Sequence, residues 1–159
     1  MLKGLTMEKE VFFQSNKTSL TLEWILKKCT TFDEFEEQCS DDMLNSDCRM
    51  NIYLLRLLEK HEKKTSVASM DAKMSPGYLG LIVNGKKHPT RDMLIKVALA
   101  IGASVDETQY LMKYAGYAPL YVRDKRDVII WFGLSKGESL DTVNDNLINR
   151  NLEPLFTDI

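Results

Sequence analysis

An ungapped internal repeat near the end of the chain constrains the fold more than any other feature of the sequence. Residues 91–121 align with residues 126–156 at an offset of 35 residues, and nine of the 31 aligned positions are identical. Average composition would give about two identities. Each copy contains an apolar segment, a glycine, a serine suited to cap a following helix, and a closing Pro-Leu-aromatic sequence. Because a solenoid needs roughly three repeats, we expect two stacked helical hairpins, the second extending the core of the first.

The segment just before and within the first copy, residues 65–102, predicts two short helices, a basic loop and a third, amphipathic helix. Ser75 followed by Pro76 predicts the start of the second short helix, because serine caps a helix and proline fits its first turn. Gly85, after an asparagine, predicts its end in the left-handed conformation. Two short helices with such a turn between them are the outline of a helix-turn-helix motif.

Apolar spacing and caps place the neighbouring helices. A helix over residues 52–61 is predicted to bury Ile52, Leu54, Leu55, Leu57 and Leu58. The next helix can be capped by Thr65 or Ser66, and its predicted apolar contacts are Val67, Ala68 and Met70. Capping boxes are predicted where a hydroxyl residue precedes a glutamate by three positions, namely Thr31 with Glu34 and Ser104 with Glu107. Residues 1–18 have no clear period, and residues 40–47 resemble a linker.

Charge is distributed unevenly along the chain. Residues 1–50 carry 6 basic and 10 acidic side chains, residues 51–116 carry 10 and 6, and residues 117–159 carry 5 and 7. A positive excess on the segment that contains the predicted helix-turn-helix is expected of a surface that meets phosphate. Ordinary variation of surface charge is the alternative explanation, and composition does not decide between them.

The sequence carries no recognisable catalytic or metal-binding pattern. P-loop, GxSxG, HExxH and strand-associated GxGxxG motifs do not occur. The cysteines, Cys29, Cys39 and Cys48, lack metal-ligand spacing, so we expect reduced, partly buried thiols. We therefore expect no enzyme activity, no metal and no cofactor. Trp131 and Phe132 lie on the apolar face of the repeated helix and are predicted to be core residues.

No apolar run reaches the roughly 18–20 residues that a membrane span requires. The first residues carry acids and lack an apolar segment of signal-peptide length. We therefore expect a cytoplasmic protein with no membrane partner.

The loop sequence NGKKHPTR, residues 84–91, resembles the Gly-Lys-Arg-x-Pro-Ser loop of the XRE/Cro-like (phage lambda-repressor-like) helix-turn-helix family. An amphipathic helix, Gly102 and a Val-Asp-Glu sequence at 105–107 follow at the spacing typical of that family. The resemblance covers about 105 of the 159 residues, and a continuation through Tyr121 and Arg126 is similar to a bacterial subgroup with an additional helical hairpin.

This resemblance implies a five-helix DNA-binding fold whose third helix enters the major groove. Carried over residue by residue, it places phosphate contacts at the start of the second helix and in the loop, and base contacts at the start of the third helix. The implied DNA-binding residues are Thr65, Ser66, Ser75, Gly77, Tyr78, Leu81, Lys86, Lys87 and Arg91. Folds of this type commonly bind paired half-sites as dimers, so a homodimer is a candidate assembly.

The predicted recognition helix departs from the family pattern. Base edges are usually read by arginine, lysine, asparagine, glutamine or acidic side chains, whereas this helix offers Gly77, Tyr78, Gly80 and Leu81. Only Ser75 and Tyr78 could make hydrogen bonds there. The helix could bind DNA weakly through phosphates and shape, or it could present Tyr78 and Leu81 to a protein partner.

Together these observations predict an all-α protein in three parts. Residues 1–48 form an acidic helical N-terminal appendage, residues 49–121 a lambda-repressor-like helix-turn-helix domain, and residues 122–159 a second helical hairpin that extends the core. The predicted function is that of a DNA-binding transcriptional regulator with double-stranded DNA as partner. The alternative is a protein-interaction module on the same fold, with a protein partner bound through the appendage or the third-helix surface.

Overall fold

The computed structural model describes residues 17–43 and 49–157, and within these ranges the protein is all-α. The α-helices are α1 (Ser19–Lys28), α2 (Phe32–Cys39), α3 (Met50–Lys60), α4 (Thr65–Asp71), α5 (Tyr78–Val83), α6 (Arg91–Ile101), α7 (Val105–Tyr114), α8 (Lys125–Lys136) and α9 (Leu140–Asn149). A short 3₁₀ helix covers Ser40–Asp42. Within the described ranges, none of these helices is long and apolar enough to cross a bilayer.

The chain divides into two compact units, Met1–Cys48 and Arg49–Ile159. In the first unit, the Thr31 hydroxyl caps α2 by accepting a hydrogen bond from the Glu34 N–H. The predicted reciprocal bond is wrong, because the Glu34 carboxylate binds the backbone and hydroxyl of Thr30 instead. Residues 40–42 are not the predicted linker, since Asp42 is buried and pairs with Lys17 at 2.7 Å. Residues 1–16 and 44–47 of the predicted irregular segments lie outside the described residues.

In the second unit, the structure confirms part of the buried face that apolar spacing predicted for α3 and α4 and corrects the rest. Helix α3 buries Met50, Tyr53, Leu54, Leu57 and Leu58, whereas Ile52 and Leu55 are exposed. Helix α4 buries Ala68 and Ser69, its C-cap Ala72 is also buried, and Val67 and Met70 are exposed. Because the residues on the buried face of α4 are small, α4 can pack closely against α5 and α6, the helices that it contacts. The larger side chains of α4 consequently face outward.

The internal repeat is present as two matching hairpins, α6–α7 and α8–α9. In both, the first helix ends at a left-handed glycine, Gly102 or Gly137, which avoids the strain that a side chain would cause there. Ser104 and Ser139 then cap the second helix. Helices α7 and α9 span residues that correspond one to one at the offset of 35. The repeated caps and glycines therefore define equivalent structure, as the alignment predicted.

Two reciprocal ion pairs join the hairpins. Arg91 of the first hairpin donates two hydrogen bonds to Asp127 of the second, at 3.1 and 3.0 Å. Arg126 of the second hairpin donates two to Asp92 of the first, at 3.0 and 2.9 Å. Arg91 and Arg126 are equivalent in the repeat, as are Asp92 and Asp127. When each copy offers the same group to the other, the relation is two-fold, as in an isologous interface.

Each arginine also binds the tail of its own hairpin. Arg91 donates to the carbonyls of Ala118 and Pro119, and Arg126 donates to those of Glu153 and Pro154, again 35 residues apart. The tails are held a second time by an amide side chain, Gln109 in one copy and Asn144 in the other, which bonds to the backbone beyond the proline. The conformation of the Pro-Leu tails thus depends on polar residues that the two copies share by position.

Glu107 connects the start of α7 to the end of α3. It forms the predicted capping box with Ser104, and its carboxylate also lies 2.8 Å from Lys60 Nζ and 2.9 Å from His61 Nε2. Burial raises the pKa of the Glu107 carboxyl, but hydrogen bonds from Lys60, Ser104 and His61 together lower that pKa more, so it lies below its ordinary value. The carboxylate is therefore held in its charged form by the fold.

One prediction about the core of the second hairpin is wrong. Phe132 was expected in the core with Trp131, but its side chain is 55% exposed and Trp131 is only partly covered. The face of α8 that does pack inward contains Ile130, Gly133 and Leu134. Gly133 allows the close approach, because a Cβ there would lie 2.3 Å from Val143 Cγ2 of α9.

Candidate nucleic-acid interface

A buried serine fixes the geometry between α4 and α5. Ser69, fully buried in α4, donates a hydrogen bond from its hydroxyl to the Ser75 carbonyl and accepts one from the Leu79 N–H at 3.4 Å. These bonds tie the middle of α4 to the residues that lead into α5. A side chain of α4 therefore fixes the direction in which α5 leaves the turn. A helix that contacts a ligand has to be held rigidly in this way.

Helix α5 begins at Tyr78, two residues after Pro76, the predicted first helical residue. Its N-cap is Gly77, which makes no side-chain capping bond, so Ser75 is not the cap. The Tyr78 N–H donates to the Ser75 carbonyl at 3.0 Å, and Pro76 and Gly77 occupy the central positions of a turn in which proline favours the first. Ser75, Pro76 and Gly77 are all exposed, and Tyr78 is half-buried. The predicted base-facing groups therefore sit on a turn that precedes a helix of six residues.

The turn between α4 and α5 is braced from the second hairpin. Lys73 adopts a left-handed conformation with φ 61°, which ends α4. Its ammonium group lies 3.4 Å from an Asp141 oxygen and 5.3 Å from the centre of the Phe156 ring. The turn that positions α5 is therefore in contact with α9 and with the C-terminal tail.

The basic loop, residues 84–91, is anchored through its backbone, whereas its lysine side chains are exposed to solvent. After Gly85, which is left-handed at φ 76°, the N–H groups of Lys86 and Lys87 both donate to the Leu81 carbonyl, at 2.8 and 3.2 Å. Pro89 is buried and its carbonyl accepts a hydrogen bond from the Tyr117 hydroxyl. The side chains of both lysines are exposed. The loop thus places two exposed cationic side chains directly after the end of α5.

The predicted residues at the start of α4 are only partly available. Thr65 and Ser66 are the first two residues of α4, which follows Lys64 without a side-chain cap. The prediction that one of them caps this helix is therefore wrong. Thr65 is half-buried and Ser66 is exposed. Leu81, one turn into α5, is 37% exposed and adds an apolar group to the same pair of helices.

Arg91, unlike Lys86 and Lys87, uses its charged group in hydrogen bonds within the protein. Its guanidinium donates to Asp127 and to the carbonyls of Ala118 and Pro119, so the planar fork is directed into the protein. A phosphate contact from Arg91 would compete with these bonds. The exposed cations of the loop are Lys86 and Lys87.

Two positioning residues were not recognised from the sequence, Ser69 and Asn51. The Asn51 side-chain amide donates to the Val83 carbonyl at 3.2 Å and so holds the C-terminal end of α5 against α3. The sequence contained a sign of the role of Ser69, because this polar residue lies beside the predicted core residue Ala68 in a helix of only seven residues. Asn51 had none, since it is one of many polar residues at a predicted helix start.

Comparison of the chain with family models, with curated proteins and with solved structures gave no match.

Proposed function

We propose that the second unit is a lambda-repressor-like helix-turn-helix domain of the XRE type, and that it binds double-stranded DNA as a transcriptional regulator. The observation that carries this proposal is the α4–turn–α5 arrangement pinned by Ser69, with the exposed turn of Ser75 at one end of α5 and the exposed lysines Lys86 and Lys87 at the other. A fixed helix with cations at one end suits a duplex, whose phosphates border the groove that a helix enters.

The roles follow from the available chemistry. Lys86 and Lys87 would supply phosphate contacts, with Ser66 at the start of α4 as a hydroxyl donor to a further phosphate. Ser75 and Tyr78 are the base-edge candidates, and Leu81 could contact a thymine methyl group. Arg91 contributes indirectly, because it fixes the start of α6 directly after the basic loop. Affinity would therefore come mainly from phosphates and depend strongly on salt.

The test is selection of genomic fragments by the full chain at two salt concentrations, followed by affinity measurements on an enriched fragment. Lys86→Glu/Lys87→Glu should weaken binding and reduce the slope of log K against log salt by about two, because each phosphate contact contributes about one. Lys27→Glu/Lys28→Glu is the matched control, since it changes two adjacent exposed lysines of α1 by the same charge. Ser75→Ala should relax sequence preference and leave the salt slope unchanged.

Two results would defeat the DNA proposal. One is the absence of any enriched fragment at either salt concentration. The other is an equal loss of binding in the Lys86/Lys87 and Lys27/Lys28 variants, which would show that net charge alone drives association. Circular dichroism and thermal unfolding of each variant establish that the fold is retained.

The second candidate function is protein interaction through the same helices. It is favoured by the outward-facing apolar side chains of α4 and α5, of which Met70 is 57% exposed and Val67 and Leu81 are also exposed. Such side chains contribute little to phosphate binding but are typical of interface anchors. A photo-crosslinking residue at position 70 should then capture a protein in cells, while the same residue at exposed position 113 should not. Capture of nucleic acid at position 70 would instead favour the DNA proposal.

A further inference from the structure

The second hairpin carries an open groove along the outer face of α8. The groove has a volume of about 460 Å³, and its lining includes Val122, Arg123, Lys125, Ile129, Phe132 and Arg150. Lys125, Ile129 and Phe132 recur at helical spacing on α8, so they form one stripe. Val122 and Phe132 are among the most exposed large apolar residues of the second unit. Phe132 of this stripe is the residue that the sequence predicted to lie in the core.

The repeat shows what normally covers such a face. At the offset of 35, Ile129 and Phe132 correspond to Leu94 and Val97 of α6, whose exposures are 0% and 1%. Helix α6 packs against α4, and α7 packs against α3. In the part of the chain that the structure describes, α8 and α9 have no comparable packing against a helix outside the two hairpins. In the first copy the corresponding residues are buried and their helix packs against α4, whereas in the second copy this face of α8 is open.

Charge distinguishes the open groove from its covered counterpart. Arg123, Lys125 and Arg150 line it, and none of its lining residues is acidic. Among the described residues, these three make no salt bridge. The equivalent positions in the first copy are His88, Thr90 and Ala115. The second copy therefore combines an apolar floor with a cationic rim, which complements a ligand with apolar and carboxylate groups.

We propose that this groove binds an amphipathic, acidic helix of a partner protein. Apolar side chains at helical spacing would pack on Ile129 and Phe132, and carboxylates at their edges would pair with Arg123, Lys125 and Arg150. A helix is the expected occupant because α4 packs against α6, the counterpart of α8, in the first copy. An acidic helix is expected because the rim of the groove is cationic. A DNA duplex fits less well, because its charged phosphates gain nothing from contact with the apolar side chains at the base of the groove. The proposal does not depend on DNA binding by the first half of the unit.

The test uses two labelled synthetic peptides of about five helical turns, or roughly 18 residues. Both carry leucine on one face; the polar face is alanine and glutamate in one and alanine and lysine in the other. In fluorescence anisotropy with the full chain, the acidic peptide should bind and the basic peptide should not. Arg123→Glu/Lys125→Glu and, separately, Phe132→Ala should each weaken binding by about tenfold or more. Lys27→Glu/Lys28→Glu, matched in charge change, should retain affinity within about twofold.

Nuclear magnetic resonance of the wild-type chain gives a second measurement that needs no variant. Addition of the acidic peptide should shift the backbone amides of residues 128–132 and leave those of residues 93–97, their covered counterparts, in place. Equal binding of both peptides, unchanged affinity in the Arg123/Lys125 variant, or shifts outside the groove would overturn the proposal. A wild-type dimer in sedimentation that Phe132→Ala abolishes would also overturn it, because the occupant would then be a second copy of this chain.

Discussion

Replacement of Gly133 by alanine tests how closely α8 and α9 pack. A Cβ at this position would lie 2.3 Å from Val143 Cγ2 and 3.7 Å from Leu99 Cδ2. Carbon atoms in contact are normally about 3.5–4.0 Å apart, so the helices or Val143 must move by more than about 1 Å. Val143 is fully buried, and a β-branched side chain in a helix has one strongly preferred rotamer. Rotation of the Val143 side chain would therefore relieve the clash only at a substantial cost in free energy.

The expected magnitude combines two opposing terms. Overpacking of a core costs about 1–3 kcal/mol, and the short distance to a rigid neighbour places Gly133→Ala near the upper value. Alanine is favoured over glycine in a helix by about 1 kcal/mol, which offsets part of the cost. We expect a net loss of about 2 kcal/mol in the free energy of unfolding, or roughly 8 °C in Tm for a unit of this length.

Chemical and thermal unfolding of the full chain measure this effect, with Gly80→Ala as the matched control. Gly80 is also a helical glycine, but nothing lies within 4 Å of the position that a Cβ would occupy there, so alanine should stabilise by up to about 1 kcal/mol. Val143→Ala in the Gly133→Ala background should recover part of the loss, giving a favourable coupling of about 1 kcal/mol or more. A Gly133→Ala variant as stable as the wild type, or strictly additive double variants, would refute the packing argument.

Three further predictions concern polar contacts. The pKa of Glu107 is lowered in the folded chain despite its burial, chiefly through Lys60; stability from this carboxylate should be present above its unfolded pKa of about 4.3 and be lost as pH falls through the lower folded pKa. Urea midpoints from neutral to acidic pH should show this loss, and Glu107→Gln should remove that part of the pH dependence. Ser69→Ala should cost about 1–2 kcal/mol and speed amide exchange at the start of α5, because it removes both hydrogen bonds of a buried hydroxyl; unchanged exchange there would contradict its positioning role. A double-mutant cycle of Arg126 and Asp92 should give a coupling of about 1 kcal/mol, and zero coupling would mean that the pair only accompanies the fold.

Local signals in the sequence predicted the second unit well where the chemistry is local. Ser104 and Ser139 cap helices, Gly102 and Gly137 end them, and the ungapped register of the repeat holds in the structure. Each of these features depends on a few neighbouring residues, so spacing alone was sufficient. The prediction placed the start of α5 too early, because a serine such as Ser75 can either cap a helix or lie in a turn. In the structure Ser75 lies in a turn, and its carbonyl accepts a hydrogen bond from the hydroxyl of Ser69 on α4.

Tertiary relations were less accessible to sequence reasoning. Periodicity identified the apolar faces of α4 and α8, but which face packs inward depends on how closely the neighbouring helix approaches. In α4 the inward face is formed by small residues, and in α8 the apolar stripe with Phe132 faces outward. Arg91 carries the charge expected of a phosphate contact, yet its guanidinium is bound to Asp127, 36 residues away. No local pattern reports such a pairing in advance.

The reciprocal bonds of Arg91 with Asp127 and of Arg126 with Asp92 have a consequence for how this architecture can grow. A stack related by translation leaves an unused surface at its end, so another unit can always be added. A pair related by a two-fold axis uses both complementary surfaces at once, and a third hairpin would find neither a free arginine nor a free aspartate. Because one chain supplies both members, their association is intramolecular and independent of protein concentration. The two hairpins thus behave as a dimer that dilution cannot separate.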